Sequence, residues 1–527
     1  MKITDLRLLH AIVMIIAYAA LLSRPCCAGE AGNTGFEIKA FEVTSNTLIP
    51  DDKLRSAVAS FTGVGKTATD VENARDVLEK LYHDAGYPTV IVNIPEQTLQ
   101  DGIVKLQVIE SRVGRIRVTG NRYFTIEKLL KDLPSLAPGT IIYLPDVQKE
   151  IGRLNASQDI KVDPIMSPGK EVGTIDVELR VEDHLPLHGY LELNNRASPN
   201  TSPLRLNALV HYDNLWQQEH SLSLQCQVAP VNPKDAKALA VSYAIPAPWQ
   251  KEDQVALYGV WSDSNTAFGE GFRVIGKGQI YGIRGVTTLP PYKLYAHAVT
   301  LGVDYKHFDQ GGFTGASGPI SYLPFMVSYS SSLPDTWGGM TQFGVGLNFS
   351  LRGVVSNESE FENNRYQAMA NYVYVVASIT RTQKLPWGMG LLVKVDGQSA
   401  NQPLIVNEQY LAGGMESVRG YKENEQAGDN GMHGMIELSF PDPFEKSSAA
   451  KLIHMSPFLF YDFAALTIID PLPTQAEKIR LAGTGAGVRG QVWKHLEYEV
   501  DWSLALKDTD ITKRDDERVY FIVKAEF

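Results

Sequence analysis

From Leu187 to the last residue, apolar and polar positions alternate with a period of two. Leu187, Gly189, Leu191 and Leu193 interleave with His188, Tyr190, Glu192 and Asn194. Leu204, Leu206, Ala208, Val210 and Tyr212 interleave with Arg205, Asn207 and His211. Near the end, Leu496, Tyr498, Val500, Trp502, Leu504 and Leu506 interleave with Glu497, Glu499, Asp501, Ser503 and Lys507. Successive side chains of a strand point to opposite faces, so each run has one apolar and one water-compatible face. Such runs start near residues 187, 204, 220, 237, 253, 272, 294, 321, 339, 366, 388, 433, 455, 480, 495 and 517. The spacing also accommodates fourteen or eighteen strands. Sixteen give about 21 residues per strand and connection, which suits spans of ~10 residues with turns and loops. A soluble sandwich alternates too, but the recurrent charges on the polar face favour a barrel. The pattern predicts an all-β transmembrane barrel of about 16 antiparallel strands over 185–527.

Upstream the pattern changes to two copies of a small α/β unit. The string Phe41-Glu-Val43-Thr-Ser-Asn46 returns as Ile116-Arg-Val118-Thr-Gly-Asn121, 75 residues later. Leu106-Gln-Val108 returns as Leu179-Arg-Val181, 73 residues on. In the first unit, 36–110, Thr69 and Glu72 read as a capping box before Val71, Ala74, Leu78, Leu81 and Ala85, with Gly86 and Pro88 ending the helix. Strands at Val90–Ile94 and Ile103–Ile109 follow, giving the order β-α-α-β-β. The second unit, 111–184, has strands at Arg115–Val118, Ile160–Ile165 and Thr174–Val181, and helices at Ile126–Leu133 and from Pro145. Such sheets leave an edge that accepts an extended peptide as an added strand; the competing reading is a spacer.

The first 28 residues read as a secretory signal. Lys2 and Arg7 precede an apolar run from Leu8 to Leu22, Arg24-Pro25 ends it, and Cys26-Cys27-Ala28 offers cleavage after Ala28. A lipidated Cys26 or Cys27 is the alternative, which Arg24-Pro25 disfavours. Residues 29–35 then form a short linker. Processing leaves Cys226 as the sole thiol, on the apolar parity of its strand, so an intrachain disulfide is ruled out.

Composition narrows the chemistry. A net charge of −11 and no Lys/Arg block argue against a nucleic-acid partner. Past the signal no uninterrupted apolar run reaches about 18 residues, which excludes helical spans. The 23 Tyr and 44 Gly suit many short strands and tight turns. The eleven His are scattered. HExxH, GxSxG and GxxxxGK[ST] are all missing, so neither an enzyme, a metal, a cofactor nor a nucleotide is expected.

One segment stands apart: Gly413-Gly414-Met-Glu-Ser417-Val418-Arg419-Gly420-Tyr421-Lys-Glu423-Asn424, ending in Gly428-Asp429-Asn430-Gly431. With the duplicated units and the barrel, it makes the chain resemble the two-partner secretion outer-membrane transporters (TpsB; ShlB/FhaC/HecB type), within the superfamily that joins POTRA units to a barrel. The resemblance implies that this loop folds back into the lumen, Arg419 pairing with an aspartate on a nearby strand. The match is Asp462 in Phe458-Leu-Phe460-Tyr461-Asp462-Phe463, where Phe460 and Phe463 flank it. A carboxylate facing lipid costs a few kcal/mol, so the Asp462 face should be luminal. Arg binds a carboxylate bidentately where Lys cannot.

The last strand places Val519, Phe521, Val523, Ala525 and Phe527 on one face. A terminal aromatic there resembles the signal by which bacterial outer-membrane barrels meet the barrel-assembly machinery. The implied partners are a large secreted exoprotein (TpsA-type), that machinery, periplasmic chaperones and the lipid bilayer. The implied function is export of an unfolded β-rich exoprotein without ATP. The rival is a barrel-assembly factor, which usually carries more POTRA units; a passive porin would need neither unit. Many family members also carry a pore-plugging helix ahead of the first unit, but residues 29–35 are too short for one spanning ~25–30 Å.

Overall fold

The computed structural model describes residues 35–99, 101–264, 276–309, 318–448 and 452–527. The signal segment and nearly all of the linker lie outside them. Contacts divide the chain into a unit ending at Leu185 and one beginning at Pro186.

The N-terminal unit opens with β1 (Phe36–Ile38), β2 (Ala40–Thr44), α1 (Asp51–Val58), β3 (Gly63–Lys66), α2 (Ala68–Asp84), β4 (Val90–Asn93) and β5 (Ile103–Glu110). A second set follows: β6 (Arg112–Thr119), α3 (Ile126–Asp132), α4 (Leu144–Leu154), β7 (Ile160–Pro168) and β8 (Thr174–Asp183). β2 runs parallel to β5 and β4 antiparallel to it; β6, β8 and β7 repeat the arrangement. The repeated Val-Thr-x-Asn string has a local cause. Asn46 Nδ2 donates to Ile49 O at 2.7 Å and Asn121 Nδ2 to Phe124 O at 2.9 Å, so each Asn closes the turn leaving its first strand. β1 and β3 form a small pair that the β-α-α-β-β order omits.

The start of α2 differs from expectation. Its N-cap is Thr67, whose N–H and hydroxyl donate to the Asp70 carboxylate at 2.8 and 2.9 Å; Thr69 already lies inside the first turn. Asp supplies the returning carboxylate, so the Thr69/Glu72 box is shifted by two residues. The backbone N–H of Thr67 holds the Asp70 carboxyl below its ordinary range. The face beyond buries Val71, Ala74, Leu78 and Tyr82 against Leu54, Val90, Val104 and Leu106. Gly86, at φ +98°, ends the helix in the left-handed conformation that Gly adopts without strain.

The barrel strands are β9 (Leu187–Asn194), β10 (Arg205–Leu215), β11 (His220–Val228), β12 (Ala236–Pro246), β13 (Gln254–Ser264), β14 (Gly276–Thr288), β15 (Ala296–Phe308), β16 (Ile320–Tyr322), β17 (Pro324–Pro334) and β18 (Gly339–Ser350). After α5 (Glu358–Asn364) come β19 (Val373–Lys384) and β20 (Gly390–Ala400). The short pair β21 (Tyr410–Ala412) and β22 (Gln426–Gly428) follows. β23 (Asn430–Ser439), β24 (Ile453–Thr467), β25 (Lys478–Val492), β26 (Leu496–Ala505) and β27 (Glu517–Glu526) complete the set. β16 and β17 both pair with β15 and are one strand interrupted at Leu323, just before Pro324, so the closed antiparallel wall has 16 strands. Closure joins β27 to β9 from Ile522↔Asn194 to Glu526↔Tyr190. The segment expected to begin a strand at 366 is instead loop up to Val373.

The two faces are inverted relative to a water-soluble protein. Leu191, Leu224, Leu301, Ile379, Leu459 and Val519 are exposed on the outer face, as is Cys226, whereas Gln225, Gln227, Glu437, Asp462, Asp501 and Ser503 are buried inside. Lipid accepts that outer face, and closure leaves no unpaired backbone edge in it. Among the described residues no helix is long and apolar enough to cross a membrane.

Thr67→Ala should speed amide exchange along α2 about fivefold, the scale of a lost N-cap. Thr69→Ala should leave it nearly unchanged, which hydrogen-exchange mass spectrometry of the full chain will resolve.

Candidate functional site: a hairpin sealed inside the lumen

The connection from β20 to β23 turns back into the barrel. β21 pairs with β22, Tyr410 opposite Gly428, and the tip between them reaches the wall formed by β23 to β26. Gly413, Gly414 and Gly420 have φ of +108°, +103° and +104°, so each bend uses a residue without Cβ strain. The wall is shaped to match. A Cβ on Gly483 would lie 1.9 Å from the Arg419 carbonyl oxygen. On Gly485 and Gly487 it would meet the Phe460 and Phe458 rings at 2.7 and 2.3 Å. At these alternate inward positions of β25 a Cβ would collide with the hairpin, the two phenyl rings, the Trp502 carbonyl or the Asp501 carboxylate.

Arg419 is 2% exposed. Its Nε and Nη2 donate to the two oxygens of Asp462 at 2.7 and 2.9 Å, and its backbone N–H adds a third bond to Asp462 at 3.1 Å. Nη1 lies 3.4 Å from both Glu437 and Asp501. The guanidinium carbon sits 3.4 Å from the Phe460 ring centroid and 5.9 Å from that of Phe458. Planar charge, fork geometry and aromatic face are thus all used at once. Glu437 also accepts from Arg489 at 2.7 Å, and Arg489 lies 3.5 Å from Glu499.

The neighbours of Arg419 lock the tip. Val418 is fully buried beside Ala464, Leu466 and Leu481. Gly420 N–H donates to Tyr520 Oη at 3.1 Å, and that hydroxyl donates to the Tyr421 carbonyl. Tyr421 Oη faces the carbonyls of Ala482 and Lys507 at 3.1 and 2.9 Å. Arg196, from the loop after β9, reaches Glu416 at 2.6 Å and Glu423 at 3.3 Å. The buried cluster of Arg419, Asp462, Glu437 and Asp501 holds the loop in place.

Strand β24 turns Phe458, Phe460, Asp462 and Ala464 inward. Phe463 faces outward over Gly434, away from Arg419, because it has the opposite parity. Phe458 therefore accompanies Phe460 at the site, and Phe463 does not. Phe521 sits opposite Val500 on the outer face, and Phe527 exchanges backbone hydrogen bonds with Gly189 at 3.0 and 3.1 Å, its ring exposed. Glu437, Asp501 and Tyr520 were not singled out from the sequence. Asp501 stood on a polar parity among other acids, and only the register beside Gly487 puts it within reach of Arg419.

Comparison with known proteins matches residues 36–111 to the ShlB-type POTRA domain and residues 321–490 to the haemolysin secretion/activation protein family ShlB/FhaC/HecB. Over those residues the chain resembles that family. It is 21% identical to the outer membrane transporter CdiB of Dickeya dadantii over 77% of this chain and 72% of that one. It is 20% identical to the heme/hemopexin transporter protein HuxB of Haemophilus influenzae, over 81% and 75%. The fold matches CdiB from Escherichia coli with a TM-score of 0.64 at 19% identity, covering 96% and 93%. BamA from Haemophilus ducreyi lacking POTRA domains 1–3 matches with a TM-score of 0.55 at 16% identity, covering 93% and 100%. The curated relatives include outer membrane transporters, and the barrel lies in the outer membrane with the POTRA units in the periplasm.

Removing the cation would leave Asp462, Glu437 and Asp501 facing one another, a loss of about 3–5 kcal/mol for a buried ion pair robbed of one partner. Arg419→Ala should therefore unseat the hairpin, and added trypsin should then cut after Lys422. Arg419→Lys should give intermediate cleavage, since one point charge replaces a fork; protection equal to the native chain in both variants would contradict the assignment.

Proposed function

We propose that this protein exports one large, unfolded, β-rich exoprotein (TpsA-type) through its own lumen, with the Arg419 hairpin as the gate. The observation that carries the reading is a hairpin tip sealed in the lumen by a buried charge cluster and hydrogen bonds beside a small apolar cluster. Such a contact can be exchanged for others when a chain enters. The division of labour is a signal at 1–28 and a linker at 29–35. POTRA units at 36–110 and 111–184 receive the exoprotein, and the pore spans 185–527.

The outer edges of β2 and β4, and of β6 and β7, take up the incoming chain as an added strand through main-chain hydrogen bonds. Transport runs without ATP: folding of the emerging exoprotein outside buries surface and biases the passage outward. Periplasmic chaperones and the barrel-assembly machinery act on this chain during its own biogenesis, the latter at Phe521 of β27 and at Phe527 just after it. No catalytic step, metal or cofactor enters the scheme.

Cells lacking the protein should lose a single large polypeptide from the medium, and Arg419→Ala should impair its release while the barrel remains intact. Broad depletion of outer-membrane barrels would instead mark an assembly factor. Quantitative proteomics of medium and envelope separates the two.

A further inference from the structure

The loop joining β18 to β19, residues 351–372, does not stay at the barrel rim. Phe361 of α5 and Ala368, Ala370 and Tyr372 beyond it are buried against Phe308, Ile320 and Tyr322 of the wall. Leu404 and Ile405, from the start of the loop that carries Arg419, join the same cluster, which rests on inward residues of β12 to β14. The Tyr322 and Phe361 rings meet edge to face with centroids 5.6 Å apart. The inner wall of a conducting barrel is polar. A dry aromatic core there means that the loop fills space a passing chain would need.

One carboxylate joins this filled region to the hairpin. Asp429 directly follows β22, is fully buried, and lies among three loops. Its Oδ2 accepts from Arg365 Nη2 at 3.0 Å and from the Ile469 N–H at 2.7 Å; its Oδ1 accepts from the Leu404 N–H and Gln409 Nε2, both at 2.9 Å. Arg365, which follows α5, also donates to the Ile469 carbonyl at 2.9 Å. On the other limb of the hairpin, buried Glu408 accepts from Lys306, Tyr322 and Tyr374, each at 2.7 Å.

We propose that residues 351–372 are a second plug, and that the Arg365–Asp429 pair locks it to the root of the Arg419 hairpin, so that the closed state is held by both and loosening one loosens the other. Asp429 sits at the root of the hairpin, between the end of β22 and Asn430, the first residue of β23, so the pair ties residues 351–372 to the point where the hairpin leaves the wall. If the second plug left alone, the fully buried Asp429 carboxylate would lose its cation, which is strongly unfavourable. Arg365 and Asp429 are thus positioning residues, acting on the passage through the loops they join. The inference rests on the reading that the lumen is the transport path.

The test uses the processed chain, free of Cys26 and Cys27, in liposomes with no exoprotein present. In a Cys226→Ser background, Ser417→Cys reports exposure of the hairpin tip to a soluble maleimide. Phe361→Ala, which loosens only the second plug, should raise labelling at Ser417→Cys by roughly tenfold. Adding Arg365→Gln should reduce that effect of Phe361→Ala to within about twofold, since uncoupled sites behave additively.

In planar bilayers, Arg365→Gln and Asp429→Asn should each lengthen open times roughly tenfold, and the double variant should exceed the larger single effect by no more than about twofold. Arg514→Gln, at an exposed pair with Asp515, should change nothing. A heat-shifted gel band confirms that each barrel has formed. Labelling and conductance unaffected by Phe361→Ala would remove the second plug; an effect of Phe361→Ala undiminished by Arg365→Gln would remove the lock. Either failure leaves the export reading untouched, whereas unimpaired secretion in cells lacking the protein would sink that reading and not this one.

Discussion

The closed lumen depends on a guanidinium held among carboxylates out of contact with bulk water. Two charge-assisted bonds to Asp462 fix the plane of Arg419, the Phe460 ring covers one face of it, and Nη1 faces Glu437 and Asp501. None of these contacts would be strong on an exposed loop, where water competes and ion pairs contribute little. Inside the barrel each strengthens the others, because leaving any partner unpaired is costly. Glycines at 420, 483, 485 and 487 serve this geometry by letting backbone and rings approach at distances a Cβ would prevent.

Features that depend on nearby residues were legible in the sequence. The period of two needs no partner strand to be read, so the alternation around Leu191, Leu206 and Val500 gave the barrel and the polarity of its faces. The Val-Thr-x-Asn repeat marked the duplicated units, and Asn46 and Asn121 show that it encodes a turn. Phe458, Phe460 and Asp462 could be placed together by parity alone, and the same parity sends Phe463 to the outside.

What was hidden depends on register between distant segments. Glu437 sits beside Phe460, and Asp501 beside Gly487, only after β23 to β26 have paired. Tyr520 looked like one more residue on the polar side of the last strand, yet it bridges Gly420 and Tyr421 across a hundred positions of chain. The segment before Val373 had strand-like composition, but Phe361 and Tyr372 find a better apolar environment inside the lumen than in the wall. At α2 the error was smaller: Asp70 supplied the capping carboxylate that Glu72 was expected to give.

The bare electrostatics of the inner wall carry a consequence for the transporting state. Were Arg419 to withdraw as proposed, Asp462, Glu437, Asp501 and Glu499 would stay on their strands beside Arg489. The vacated conduit would then favour counter-ions of positive sign over anions. Sodium or potassium would accompany each opening, and the lysines and arginines of a threading polypeptide would find a weakly attractive ring where the plug had been.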